Sequence, residues 1–205
     1  MIRLYDYWRS SASYRVRIAL GLAGLSWDTV PIDLVAGAQR SADHLERNPQ
    51  GLVPVLEIDG LRLTQSVAIV EYLDETRGLG LLPADPVGRA RVRALSHAIA
   101  MDLHPVCNLR VARHAVDQSG GAVTMEGWMQ HFITPALQAF EAELEGGDYC
   151  YDAAVSLADI CLMPQLYNAR RWGVDLSPLS KLRRIEGALA DHPAFAAAHP
   201  DRTPH

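Results

Sequence analysis

The chain has little of the chemistry that marks several large classes of protein. Among 205 residues there are only three cysteines, none of them in a CxxC pair. This argues against a disulfide framework and a cysteine zinc site, and it predicts a reducing compartment, the cytoplasm. Acidic residues number 24 against 19 basic ones, so the net charge of −5 gives no positive field to favour nucleic acid as a partner.

Membrane and metal signals are missing as well. No apolar run is long enough to cross a bilayer, and the N-terminus enters strand-like sequence directly, so we expect neither a membrane span nor a signal peptide. The histidines have no partner at ligand spacing, so we expect no metal site. The histidines considered are His97, His104, His114 and His131.

What is present is a change of pattern along the chain. The first part alternates in the order β-α-β-α-β-β-α, with strands expected at 2–7, 27–34, 53–58 and 61–64 and helices at 13–23, 41–47 and 67–76. Pro31 suggests an edge strand, Asp59-Gly60 a hairpin turn, and Ser66 the N-cap of the third helix. From Asp85, an expected N-cap followed by Pro86 at the first helical position, the pattern is helical. It includes a capping box formed by Ser156 and Asp159 and ends in a Pro-rich tail at 192–205 that we expect to be irregular. The prediction is an α/β domain over 1–80 and an all-helical domain over 86–205.

The turn between the first strand and the first helix is the most informative segment. Residues 8–18 crowd serines and arginines at a helix start, where free backbone N–H groups and the positive end of the dipole stabilise an anion. A thiolate is such an anion, and because the segment has no cysteine, the thiol would have to come from a cofactor. In the alternative interpretation the serines are ordinary N-caps, and Arg15 and Arg17 are solvated on an exposed helix.

Two further segments suit an extended, anionic ligand. Val53-Pro54 opens a strand, and if the bond is cis, the backbone of Val53 can pair with an extended peptide; a plain edge-strand proline is equally compatible with the sequence. Gln65-Ser66 opens the third helix and can hold a carboxylate, although it can also be a simple cap. Together with Ser10-Ser11, these segments offer three contacts to a small peptide with a thiol and a free carboxylate, and glutathione is such a molecule.

Over nearly its whole length the chain resembles the cytosolic glutathione transferases. Within them it most resembles the zeta class, the maleylacetoacetate and maleylpyruvate isomerases, whose signature Ser-Ser-Cys-x-aromatic or His-Arg-x-Arg-Ile is similar to residues 10–18. Segments 48–54, 65–69 and 169–175 also fit. The resemblance implies a thioredoxin-like N-terminal domain followed by an all-helical domain. Ala12, where the signature has Cys, and Cys107, where Asn is usual, depart from the pattern.

The resemblance also implies roles for individual residues. The Ser10 hydroxyl would donate a hydrogen bond to the thiolate of the cofactor glutathione, assisted by Ser11. The residues implied to hold glutathione are Ser10, Ser11, Gln50, Val53, Pro54, Gln65, Ser66 and Asn108. The thiolate would add to the double bond of a cis-enone diacid, allow it to rotate, and leave again.

Four further residues are implied to bind the substrate. Arg171 would bind a substrate carboxylate bidentately; the alternative is a surface ion pair near Asp175. Arg9, Arg110 and His104 are the other candidates. His104 and Asn108, four residues apart, are expected on one helix face, although Pro105 would kink that helix.

Three functions remain open at this point. The first is a glutathione-dependent isomerase, the second is a general glutathione transferase that conjugates small electrophilic or halogenated acids, and the third is a non-catalytic interaction protein of the same fold. A homodimer is expected by resemblance alone.

Overall fold

The computed structural model describes residues 1–203. They form two compact units, one made of residues 1–80 with the described residues after Ala190, the other of residues 81–190. The predicted division placed all of 86–205 in one helical domain, whereas the structure places 191–203 with the first unit, because the last helix packs on the first helix of the chain.

Four strands form one sheet in the first unit. They are β1 (Arg3–Asp6), β2 (Asp28–Pro31), β3 (Val55–Ile58) and β4 (Leu61–Thr64), in the order β2-β1-β3-β4. β1 pairs parallel with β2 and antiparallel with β3, which pairs antiparallel with β4. β2 is an edge strand, as Pro31 predicted. Asp59 and Gly60 both adopt positive φ, at 54° and 76°, as a two-residue hairpin turn requires.

The helices follow the predicted alternation in the first unit, and those from Pro86 to Ala190 make up the second unit. In chain order they are α1 (Ser11–Leu22), α2 (Ala42–Arg47), α3 (Ser66–Arg77), α4 (Pro86–His97), α5 (His104–Val106), α6 (Leu109–Gln118), α7 (Met125–Glu143), α8 (Leu157–Arg171), α9 (Ser180–Ala190) and α10 (Pro193–Ala198). A π-helical segment, Ala98–Leu103, joins α4 to α5, and 3₁₀ turns occupy Ala38–Arg40 and Pro200–Arg202.

Three local predictions need correction. α1 begins at Ser11, two residues earlier than expected, because the Ser10 side chain accepts a hydrogen bond from the Ser13 N–H at 3.2 Å. The N-cap of α3 is Gln65, and Ser66 is the first helical residue instead of the cap. The tail is not irregular, since His192 caps α10 through the Ala194 N–H and a 3₁₀ turn follows.

In the second unit the predicted capping signals are confirmed. Asp85 caps α4 by accepting the Gly88 N–H at 2.8 Å. The capping box of α8 is present, with the Asp159 carboxylate accepting from the Ser156 N–H at 2.8 Å. No helix within residues 1–203 has the length and hydropathy that a membrane span needs.

Two arginines of α1 lie in the interior of the first unit. Arg15 and Arg17 are each only 2% exposed, so the expectation that they are solvated is wrong. The Arg17 Nη1 donates to both carboxylate oxygens of Asp6, at 2.9 and 2.7 Å, while Nη2 donates to the Trp8 carbonyl at 3.0 Å and Nε to the Ala198 carbonyl at 3.1 Å. This one guanidinium therefore joins β1, the turn after it and the C-terminal helix α10.

Removing the Arg17 guanidinium should destabilise the protein strongly. In Arg17→Met the Asp6 carboxylate, 1% exposed, would lose its buried cationic partner, and breaking a buried ion pair typically costs about 3–5 kcal/mol of unfolding free energy. Urea denaturation at neutral pH measures the loss. Arg3→Met is the matched control, because Arg3 also pairs with a carboxylate across the sheet but is 40% exposed and should lose far less. Equal losses in the two variants would contradict the assignment.

Candidate active site

The N-terminus of α1 presents a hydroxyl whose proton is not used within the described chain. The Ser10 N–H donates to the Tyr7 carbonyl at 2.8 Å, and its Oγ accepts from the Ser13 N–H. No residue of 1–203 accepts the Ser10 hydroxyl proton. Ser11 is the first helical residue beside it. A serine hydroxyl both accepts and donates, so this cap leaves a donor at the positive end of the helix dipole, as an anion requires.

The loop before β3 presents the backbone of Val53. The Val53-Pro54 peptide bond is cis, a point that the sequence left open. The His44 Nε2 and the Asn48 Nδ2 both donate to the Leu52 carbonyl, at 3.0 and 2.9 Å, and so fix the residue before Val53. Within the described residues, neither the N–H nor the C=O of Val53 has a hydrogen-bond partner. Both are therefore available to an extended ligand.

The N-terminus of α3 is open. Gln65 has φ of 68° and makes no capping hydrogen bond; its Nε2 instead donates to the Gln50 Oε1 at 2.8 Å. The Ser66 Oγ accepts from the Arg15 Nη1 at 3.2 Å. The first N–H groups of a helix have no intrahelical partner, so an uncapped start of this kind suits a carboxylate.

A cleft beside the β1–α1 turn was missed by the sequence analysis. Arg9 is one of the residues that line it. The Arg9 guanidinium lies 4.5 Å from the Trp8 ring centroid, and its Nη2 donates to the Tyr7 hydroxyl at 3.0 Å. The cleft has a volume of about 330 Å³ and is lined by Asp6, Tyr7, Trp8, Arg9, Thr29, Pro31, Ile32, Asp33 and Val35. The signal that could have found it is the parallel pairing of β1 and β2, since the carboxyl ends of parallel strands meet at one edge of a sheet.

The remaining predicted residues belong to the second unit. His104 begins α5, whereas Asn108 caps the separate helix α6 by accepting the Arg110 N–H at 3.0 Å. They do not share one helix face as predicted, because the helical path breaks after Val106 and Asn108 takes the extended conformation of an N-cap. Arg171 is exposed at the last residue of α8, with its guanidinium 4.8 Å from the Trp172 ring centroid. The roles assigned to these residues stay predictions.

Comparison with known proteins gives consistent matches along the chain. Residues 1–75 match the family model of the glutathione S-transferase N-terminal domain. A maleylacetoacetate isomerase of Rhizobium meliloti is 58% identical over 97% of this chain and 96% of its own length. A maleylacetoacetate isomerase of Rattus norvegicus is 45% identical over 98% of this chain and 93% of its own.

Solved structures agree with these relatives. A bacterial maleylpyruvate isomerase, described as a glutathione S-transferase of the zeta class, superposes with a TM-score of 0.93 at 36% identity, covering 98% of both chains. The maleylacetoacetate isomerase of Anaeromyxobacter dehalogenans, solved with glutathione in its active site, gives 0.89 at 44% identity, covering 100% of this chain and 97% of that one.

This chain is a zeta-class glutathione S-transferase. The family identity agrees with the thioredoxin-like sheet and the helical second unit. It also gives the three contacts of the first unit a common ligand, since family members use glutathione. The Ser10 hydroxyl, the backbone of Val53 and the uncapped start of α3 respectively offer a thiolate donor, a peptide-pairing edge and a carboxylate site, and so fit the cofactor.

The cysteines of the transferase lie in its interior. Cys107, Cys150 and Cys161 are all buried, and none of them forms a disulfide bond. Burial raises the pKa of Cys107 to about 11. Burial, followed by the neighbouring carboxylate of Asp159, raises the pKa of Cys150 well above its usual value. At neutral pH neither of these two thiols is ionised, which fits a nucleophile supplied by glutathione.

The three cysteines should therefore resist alkylation in the folded protein. Near neutral pH we expect mass spectrometry to show negligible reaction with iodoacetamide, but full labelling of all three after unfolding in urea. As the pH rises towards about 11, Cys107 should label first, because its thiol then ionises. Rapid labelling of the folded protein at neutral pH would contradict the shifted pKa values.

Proposed function

We propose that this chain is a glutathione-dependent cis–trans isomerase acting on maleylacetoacetate or maleylpyruvate. The observation that carries the proposal is the Ser10 cap, which keeps its hydroxyl proton at the start of α1. The high identity to maleylacetoacetate isomerases along the whole chain supports the substrate class. Both substrates are cis-enone diacids that differ by a short keto-acid extension, so both stay open.

When bound, glutathione would supply the thiolate nucleophile for the isomerisation of the cis double bond. The residues of the chain make this possible by holding charge. Ser10 donates a hydrogen bond to sulfur, and the dipole of α1 favours its ionised form. Val53 pairs with the peptide backbone, while Ser66 and the uncapped start of α3 bind a carboxylate.

The predicted arginines are proposed to bind the carboxylates of the substrate. Arg9, held against Trp8 and Tyr7 at the 330 Å³ cleft, is positioned to attract a carboxylate. Arg171 is proposed to bind a carboxylate of the diacid through its planar fork, with Arg110 and His104 as further contacts. Asn108 stays a proposed glutathione contact through its amide nitrogen, because its oxygen already caps α6.

We further propose that the protein works in the cytoplasm as a homodimer. Three buried cysteines that form no disulfide bond fit a reducing compartment. The homodimer rests on the resemblance to the zeta class. The excess of acidic residues gives no reason to add nucleic acid to its partners.

The test of the function is the isomerisation of maleylpyruvate and of a maleylacetoacetate analogue, followed by absorbance with and without glutathione. We expect turnover only with glutathione, and a loss of about 100-fold or more in kcat for Ser10→Ala, the scale of losing one donor to a developing anion. Thr124→Ala is the control, because Thr124 also caps a helix, α7, through its side chain but belongs to no proposed site. Glutathione binding without turnover would reject the isomerase and favour a general transferase or a non-catalytic binder.

Arg171 has its own test. Arg171→Gln should raise KM for the diacid by about 10-fold or more, because a charge-assisted bidentate contact is lost, while the affinity for glutathione stays unchanged. Arg170→Gln is the matched control: the adjacent Arg170 is also exposed, and its guanidinium is committed to Glu186 on α9. If both variants behave like the wild type, Arg171 is a surface residue, as in the alternative near Asp175.

A further inference from the structure

The guanidinium of the buried Arg15 contacts the first residue of α3. Its side chain leaves α1 and donates from Nη1 to the Ser66 Oγ at 3.2 Å, across 51 residues of sequence. Arg15 is 2% exposed and Ser66 is 7% exposed, so this contact is shielded from water. A buried cation costs desolvation free energy, and its charge acts strongly on its surroundings because the local dielectric constant is low.

The contact fixes how Ser66 can act. A serine hydroxyl has one proton to donate and lone pairs that accept. A guanidinium has donors only, so Arg15 must be the donor in this contact. The proton of the Ser66 hydroxyl is then left for another acceptor. Among residues 1–203 no acceptor for that proton is found, and Gln65 leaves the first turn of α3 uncapped. The Ser66 hydroxyl and the first N–H groups of α3 are therefore left to donate to an anion.

We propose that Arg15 is a positioning residue for the recognition of a glutathione carboxylate at the start of α3. It orients the Ser66 hydroxyl so that it donates outward, and it adds a permanent positive charge behind the helix dipole. Arg15 does not touch the ligand; it acts through Ser66. This inference rests on the proposed glutathione site and deepens it by assigning a buried residue of the signature segment to carboxylate binding.

The neighbouring Arg17 shows what a purely structural arginine looks like in the same helix. Its donors reach Asp6 and two backbone carbonyls, all of them acceptors that stay in the protein. The Nη1 of Arg15 donates to a hydroxyl, and a hydroxyl can in turn donate to a ligand. Both arginines belong to the segment that resembles the zeta signature, and these different partners fit different tasks.

The test compares carboxylates on the ligand with charge on the protein. Calorimetric titration measures the Kd of glutathione and of two analogues, one with 4-aminobutanoyl in place of the γ-glutamyl group and one with a methylamide in place of glycine. Each analogue lacks one carboxylate. The proteins are the wild type, Arg15→Gln, Arg15→Lys and the control Arg62→Gln, which removes an exposed arginine of β4 that pairs with Glu57.

We expect Arg15→Gln to weaken glutathione by about 10-fold, the scale of a hydrogen bond to a charged group. The loss should vanish with one of the two analogues, because that analogue lacks the carboxylate at α3. Arg15→Lys, which keeps the charge, should restore part of the affinity, and Arg62→Gln should bind as the wild type does. If Arg15→Gln does not fold, Arg15→Lys decides: a smaller loss that vanishes with the same single analogue supports the proposal.

An undiminished affinity in the folded Arg15 variants overturns the proposal, and so does a loss that persists with both analogues, since a structural role would weaken every ligand alike. Failure of the wild type and of Arg62→Gln to bind glutathione would reject the proposed function itself. The two failures are therefore distinguishable.

Discussion

The Arg17 guanidinium donates hydrogen bonds to Asp6 of β1, to the carbonyl of Trp8 in the following turn and to the carbonyl of Ala198 in α10. Neither partner of the ion pair has water as an alternative, because both are almost completely buried. In such surroundings the attraction within an ion pair offsets the desolvation free energy only if the remaining donors also have hydrogen-bond partners. Here every nitrogen of Arg17 has a partner. The β1–α1 turn that presents Ser10 is consequently held by the interior of the unit.

Two helix starts in this unit show how one physical device can serve two purposes. At α1 the Ser10 side chain caps the helix and still keeps a proton to donate. At α3 no side chain caps the helix, and a buried arginine lies behind its first residue. The first arrangement suits a single sulfur atom that must be ionised, whereas the second suits a carboxylate that is always charged. The dipole contributes to both, and at the second a buried arginine also donates to the first residue of the helix.

The second unit combines an ordinary helical interior with one irregular passage. α7 packs its buried residues Met129, Ile133, Leu137 and Phe140 at helical spacing. The chain between α4 and α6 instead passes through the π-helical segment, a short α5 and a break before Asn108. π-helical turns are uncommon and recur at functional sites. This passage carries His104, Asn108 and Arg110, whose ligand contacts stay predictions.

Much of this protein could be predicted from its sequence because the deciding signals are local. The alternation of strands and helices, the Asp59-Gly60 hairpin, the Asp85 cap and the capping box at Ser156 each depend on residues a few positions apart, and the structure confirms them. The prediction that residues 8–18 and 65–66 bind an anion depends in the same way on local signals, those of helix starts. The zeta signature then indicated the family, which the comparisons support.

The tertiary structure decided where the charged side chains of α1 go. Helical periodicity could not predict that Arg15 and Arg17 are buried, because their partners lie far away in sequence: Ser66 at a separation of 51 residues and Ala198 at 181. It likewise decided that the tail folds as α10 on the first unit, that Asn108 begins a new helix, and that a cleft opens beside Arg9. Local sequence specifies which conformation a segment favours, but burial of a charge is settled only when distant segments supply its hydrogen-bond partners.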